Sequence, residues 1–166
     1  MPNDDLLYRL LSHVTVLDQF TATEARLLVS CCAKRSATVG EQLIEQGSHG
    51  REMFILLSGH VEVRRDSPDG CHHLLATLGP GDCFGELALL DYDTRSASVI
   101  CSSEALLLSL DRAVLTKAPD IAPKLYRNLA KLMAQRLRQT DDLVSVLVNC
   151  PSTIIPIESR VIRNRG

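Results

Sequence analysis

The chain has 166 residues, 45% of them hydrophobic, and its 18 Lys and Arg against 20 Asp and Glu give a formal charge of −2. That length suits one globular domain with a real core and an extra helical arm, and would crowd two full domains. The near-neutral balance excludes a global electrostatic field for nucleic acid or membrane, so a charged partner must be held by a local site.

Six cysteines, Cys31, Cys32, Cys71, Cys83, Cys101 and Cys150, form no CxxC pair. They read as reduced core thiols rather than a disulfide framework or a zinc site. The start, Met1-Pro2-Asn3-Asp4-Asp5, is acidic where a signal peptide is basic, and no apolar run approaches the ~18 residues of a membrane span. A cytoplasmic protein without membrane contact is expected.

From Asp4 to about Arg35 the apolar residues Leu6, Leu7, Leu10, Leu11, Leu17, Phe20, Ala25, Leu28 and Val29 recur mostly at spacings of three and four, which predicts helices over 4–35. Thr21 or Thr23 is the candidate cap of the second, with Glu24 suiting its positive end. From Ser36 to Leu110 the period changes to short runs, Gln42 to Ile44, Met53 to Leu57, His60 to Val63, His73 to Leu78, Arg95 to Cys101 and Ala105 to Leu110, punctuated by glycines. Short strands with glycine turns predict a mainly β fold, an antiparallel β-roll of the barrel or jelly-roll kind with flanking helices. Pro68, Asp69 and Gly70 mark a hairpin tip. After Asp111 the helical period returns as far as Val148, with interruptions near Pro119 and Pro123, and 149–166 reads as a tail. The organisation expected is one domain over 1–148, without internal repeats.

One stretch, "GPGDCFGELALLDYDTRSASV" from Gly79 to Val99, differs from the rest. Its turn residues lead into Phe84-Gly85-Glu86-Leu87-Ala88-Leu89-Leu90, which has room for only a turn or two of helix, and Arg95 follows ten residues after Gly85. A helix start offers backbone N–H groups and positive potential to an anion. Gly85 lets the anion approach, Arg95 brings an untitratable five-donor fork from the head of a strand, and Ser96 adds a hydroxyl. Glu86 would repel a phosphate unless a neighbouring hydroxyl of the same ligand occupied it. A phosphate fused to a ribose with a free 2′-hydroxyl meets that condition.

Helices, a glycine-punctuated β-roll, "FGELALL", "TRSAS" and a further helix resemble the cyclic nucleotide-binding domain shared by the catabolite activator protein, regulatory subunits of cAMP-dependent kinase and cyclic-nucleotide-gated channels. The resemblance covers roughly Leu6 to Leu143. It implies that Gly85, Glu86, Leu87, Ala88 and Arg95 form a phosphate-binding cassette, with Glu86 on the ribose 2′-hydroxyl, Phe84 beside it and Ser96 after the arginine. Thr94 departs from the proline of many members, which changes loop stiffness more than chemistry. A threonine after the arginine is associated in the family with cGMP. Ser96 lacks the methyl that would fix its hydroxyl, so cAMP is expected over cGMP.

A bland reading makes the stretch a turn and helix cap, with Arg95 paired to Asp91, Asp93 or Glu86. The histidines lack metal-site spacing, and no Ser/His/Asp or Cys/His set has the context for nucleophilic catalysis, so neither a metal nor an enzyme is expected.

Between Ile121 and Val148 an apolar stripe of Leu125, Leu129, Leu132, Met133, Leu137, Leu143, Val144 and Leu147 faces away from Lys124, Arg127, Lys131 and Arg138, which read as a solvated face. The helix exceeds what a small barrel can cover, so its later turns are expected to pair with a second copy. By the same resemblance Thr140 meets the base, with Asp141 where the activator has serine. Only about 18 residues follow Val148, against ~60 for a winged helix-turn-helix. The expectation is a sensing module without a DNA-binding domain, acting through an unknown protein effector or a homodimer. The alternative is an interaction domain that kept the fold and lost the ligand.

Overall fold

The computed structural model describes residues 13–91 and 93–149. Leu6, Leu7, Leu10, Leu11 and the tail from residue 150 lie outside the described residues. A 3-10 turn at Thr15–Leu17 is followed by α1 (Ala22–Ser30). Eight strands come next: β1 (Ala33–Ala37), β2 (Gln42–Ile44), β3 (Glu52–Ser58), β4 (Val61–Asp66), β5 (His72–Leu78), β6 (Cys83–Phe84), β7 (Ser98–Cys101) and β8 (Ala105–Asp111). The one-turn helix α2 (Leu87–Leu90) interrupts them between β6 and β7, and α3 (Val114–Lys117) and α4 (Ala122–Asn149) complete the order.

Two four-stranded antiparallel sheets, β1-β8-β3-β6 and β2-β7-β4-β5, face each other as expected of a β-roll with flanking helices. β3 shows why the layers hold. Met53 to Leu57 are all buried: Phe54 and Leu56 fill the space between the sheets, while Met53, Ile55 and Leu57 point to the helices. The period-two alternation thus serves two cores at once. Leu28, Leu125 and Leu129, each 0% exposed, cover the outer face, and each such side chain contributes about 1.5–3 kcal/mol by leaving water.

Several boundaries differ from the sequence reading. β1 starts at Ala33, earlier than the change of period at Ser36, because Lys34, Arg35 and Ser36 carry no apolar alternation and are recruited by pairing with β8. β6, only two residues long, is ordered by the partner of Phe84, Phe54 on β3. Arg95 does not head a strand, since β7 begins at Ser98. The helical break falls at Ala118 to Ile121 around Pro119, whereas Pro123 sits in the first turn of α4, where a missing N–H costs nothing. Cys83 and Cys101 are core residues, but Cys71 is exposed in the hairpin tip. Burial pushes the Cys32 thiol up to about 12.

α1 carries a capping box: Thr21 Oγ1 accepts from the Glu24 N–H at 3.2 Å, and Glu24 Oε2 accepts from the Thr21 N–H at 2.7 Å. The basic face of α4 stays largely solvated over its first turns, with Arg127 and Lys131 exposed and Lys124 half-buried, yet each of the three has a partner. Lys124 pairs with Glu24 and Lys131 with Asp18, and Arg127 Nη2 donates to Gln19 Oε1 at 2.7 Å. The fully buried Asn128 donates from Nδ2 to the carbonyls of Val16 at 3.0 Å and Asp18 at 2.7 Å. That face is turned to the N-terminal segment, which sequence periodicity does not register. The chain divides into two compact units between Leu132 and Met133, the first holding both sheets and the second the remainder of α4.

Candidate functional site

The site is built by three segments of the first unit. β6 delivers the chain to Phe84, which is buried and stacks on Phe54 with ring centroids 5.3 Å apart, so this side chain belongs to the core between the sheets. Gly85 follows with φ +71°, the left-handed region where a side chain is strained. A Cβ there would also lie 2.8 Å from Arg95 Nη1 and 3.0 Å from Ile44 Cδ1. Glu86 is buried, 6% exposed, at the start of α2. Ala88 and Leu89 anchor that turn in the protein while Leu87 stays exposed.

The second segment is the loop around Arg95. Its N–H donates to the Ser48 carbonyl and its carbonyl accepts from the Gly47 N–H, both at 2.8 Å, so the β2–β3 loop clamps this backbone on both sides. The guanidinium then spans to two other carbonyls: Nη1 donates to Gly85 O at 2.9 Å and Nη2 to Glu52 O at 2.7 Å. At hydrogen-bond distance these backbone carbonyls stand where sequence suggested Asp91, Asp93 or Glu86, while the Glu86 carboxylate acts on Arg95 through its charge. Burial pulls the Arg95 pKa below its ordinary value, while the Glu52 and Glu86 carboxylates support the charge. Ser96, beside it, is exposed. An open cleft of about 480 Å³ reaches Arg95, with Arg35, Gln42, Ile44, Glu52 and Phe54 in its wall.

Arg112 is the third contributor. Its Nη2 donates to the Ala88 carbonyl within α2, and its backbone N–H donates to Arg51 O at 2.9 Å, so the end of β8 braces both α2 and the β2–β3 loop. Gly85, Glu86, Ala88 and Arg95 are therefore gathered at one place. Thr140 lies in the second unit, exposed on α4, with its Oγ1 donating to the Arg136 carbonyl at 3.0 Å.

Residues 34–119 match the family model described as the cyclic nucleotide-binding domain, which is half of the chain. The chain belongs to this family. As a cyclic nucleotide-binding domain it is 37% identical over 129 residues to the "Cyclic AMP receptor protein" of Thermus thermophilus, covering 74% of this chain and 58% of that one. It is 33% identical over 109 residues to the "CRP-like cAMP-activated global transcriptional regulator" of Mycobacterium tuberculosis, covering 66% and 49%. It spans about half the length of these relatives. A solved cyclic nucleotide-binding domain from Methylobacillus flagellatus superimposes with a TM-score of 0.76 at 25% identity, over 93% of this chain and 88% of that one.

Within this domain, sequence reasoning missed Glu52 and Arg112 as partners of the cassette. Both act through backbone atoms, Glu52 as an acceptor and Arg112 upon one, and backbone carbonyls leave no mark in side-chain chemistry. Gly47 and Gly50 read as turn punctuation. Their spacing before β3 was the one available signal that the loop approaches something closely.

Proposed function

We propose that the protein is a non-enzymatic cytoplasmic sensor that binds a 3′,5′-cyclic nucleotide, cAMP in preference to cGMP, over residues 1–148, and passes the state of that site to a partner or a second copy through α4. The observation that carries this reading is the Arg95 fork, held next to Gly85 and the buried Glu86 carboxylate, its Nη1 and Nη2 each donating, among the described residues, to one backbone carbonyl, Gly85 O and Glu52 O. A cyclic phosphate accepts from the other donors and from the turn after Gly85, and its charge relieves the cost of the partly buried guanidinium. The carboxylate of Glu86 accepts the ribose 2′-hydroxyl, which a terminal phosphate monoester or a deoxy sugar does not present in the same relation.

Support for cAMP comes from the names of the two relatives above and from Ser96, whose hydroxyl lacks a methyl to hold it toward a guanine amino group. Thr140 on α4 is assigned to the base. The exposed apolar residues Leu137 and Val144 are assigned, with Leu147, to a two-fold seam with a second α4. Ligand shifts that assembly only by its differential affinity for the two states. The reading is tested on cAMP tethered at C8. Retention of the protein and its release by free cAMP but not by 5′-AMP is the expected result, and passage without retention rejects it.

A further inference from the structure

We propose that Gly50 is a positioning residue for Arg95: the space left by its missing side chain is where the guanidinium is held. The proposal rests on the cyclic nucleotide reading for its consequence, though not for its geometry.

A Cβ added at Gly50 would lie 2.6 Å from Arg95 Nε and 2.7 Å from Cζ, inside any real contact distance. The guanidinium is thus enclosed between two positions without side chains, Gly50 in the β2–β3 loop and Gly85 before α2, while Gly85 O and Glu52 O take its two outer donors. The two glycines differ in why they are needed. Gly85 has a positive φ, as have Gly40, Gly47, Gly59, Gly70 and Gly81, but Gly50 does not. The backbone at Gly50 accepts an L-residue without strain, so what this position requires is room and not conformational freedom. The atom met there is the tip of a flexible side chain, and the fold therefore survives a substitution by moving Arg95. Displacing the fork breaks its alignment with the two carbonyls and turns its remaining donors from the anion, and bidentate recognition depends on that alignment.

The test titrates cAMP into wild type, Gly50→Ala, Gly50→Val, Arg95→Ala and the double variant Gly50→Ala/Arg95→Ala, with melting curves for each. Gly50→Ala is expected to bind about tenfold and Gly50→Val about a hundredfold more weakly at unchanged melting temperature, while Gly50→Ala adds nothing in the Arg95→Ala background, as expected of residues acting as one unit. Full affinity in Gly50→Val, or an equal loss with and without Arg95, overturns the proposal. Ligand-free ¹⁵N spectra separate this from failure of the nucleotide reading. A shifted Arg95 Nε–H resonance in Gly50→Ala upholds the positioning role even in a protein that binds no nucleotide, and an unmoved one overturns it.

Discussion

Lys124 Nζ holds both carboxylate oxygens of Glu24 at 2.7 Å across 100 residues of sequence, and the same carboxylate closes the capping box of α1. One group thus fixes the start of α1 and ties it to the first turn of α4. Lys124, then the Thr21 N–H, lower the Glu24 pKa to about 2. Its unfolded value is about 4.3, so the contribution is complete above that pH and is lost as pH falls through the folded value, below which both states are protonated. Thermal midpoints should drop between pH 5 and 2, and more gently in Glu24→Gln, which starts lower at pH 7. Identical slopes in the two proteins would detach Glu24 from the acid transition.

Asn128 is the polar counterpart inside the same contact. Asn128→Leu keeps the branched outline of the side chain but leaves the Val16 and Asp18 carbonyls without their buried donor. Each orphaned group costs about 1–3 kcal/mol, so the unfolding free energy from a urea titration should fall by a total of several kcal/mol, the midpoint dropping at unchanged m-value. A loss under about 0.5 kcal/mol would mean that water replaces the amide.

Glu86 gives a ligand-side prediction. If its buried carboxylate accepts the ribose hydroxyl, wild type should bind 2′-deoxy-cAMP about 10- to 100-fold more weakly than cAMP, the value of a hydrogen bond to a charged group. In Glu86→Ala the two nucleotides should bind alike. Persistence of the preference in that variant would move the hydroxyl contact elsewhere.

Most of the roll was legible because Met53 to Leu57, set between glycine turns, and Ala105 to Leu110 carry runs of buried apolar residues. β1 and β6 were not, since Lys34, Arg35 and Ser36 are strand residues only by pairing with β8, and Cys83-Phe84 is too short to show a period. At the site, Gly85, Glu86 and Arg95 were readable from type and spacing, while the carbonyls that aim Arg95 were not. The partners of the α4 charges were hidden for a related reason: Lys124 and Lys131 find Glu24 and Asp18 only once the chain has folded back.

The exposed apolar side chains of α4 carry a prediction about assembly. Leu137 is 62% and Val144 51% exposed, seven residues apart on one helix face. Light scattering should report a dimer in wild type, strengthened by cAMP, and a monomer in Leu137→Glu/Val144→Glu, because two like charges at the seam oppose burial. Wild type monomeric at high concentration with and without ligand would remove the seam.

The most direct measurement is a calorimetric titration of cAMP and cGMP into protein stripped of co-purified nucleotide, alongside Arg95→Ala. The account predicts one site per chain, tighter for cAMP than for cGMP, and a loss of about 2–4 kcal/mol in Arg95→Ala, where the anion is left short of its counter-charge. A folded wild type that binds neither nucleotide, or an Arg95→Ala variant of undiminished affinity, would contradict it.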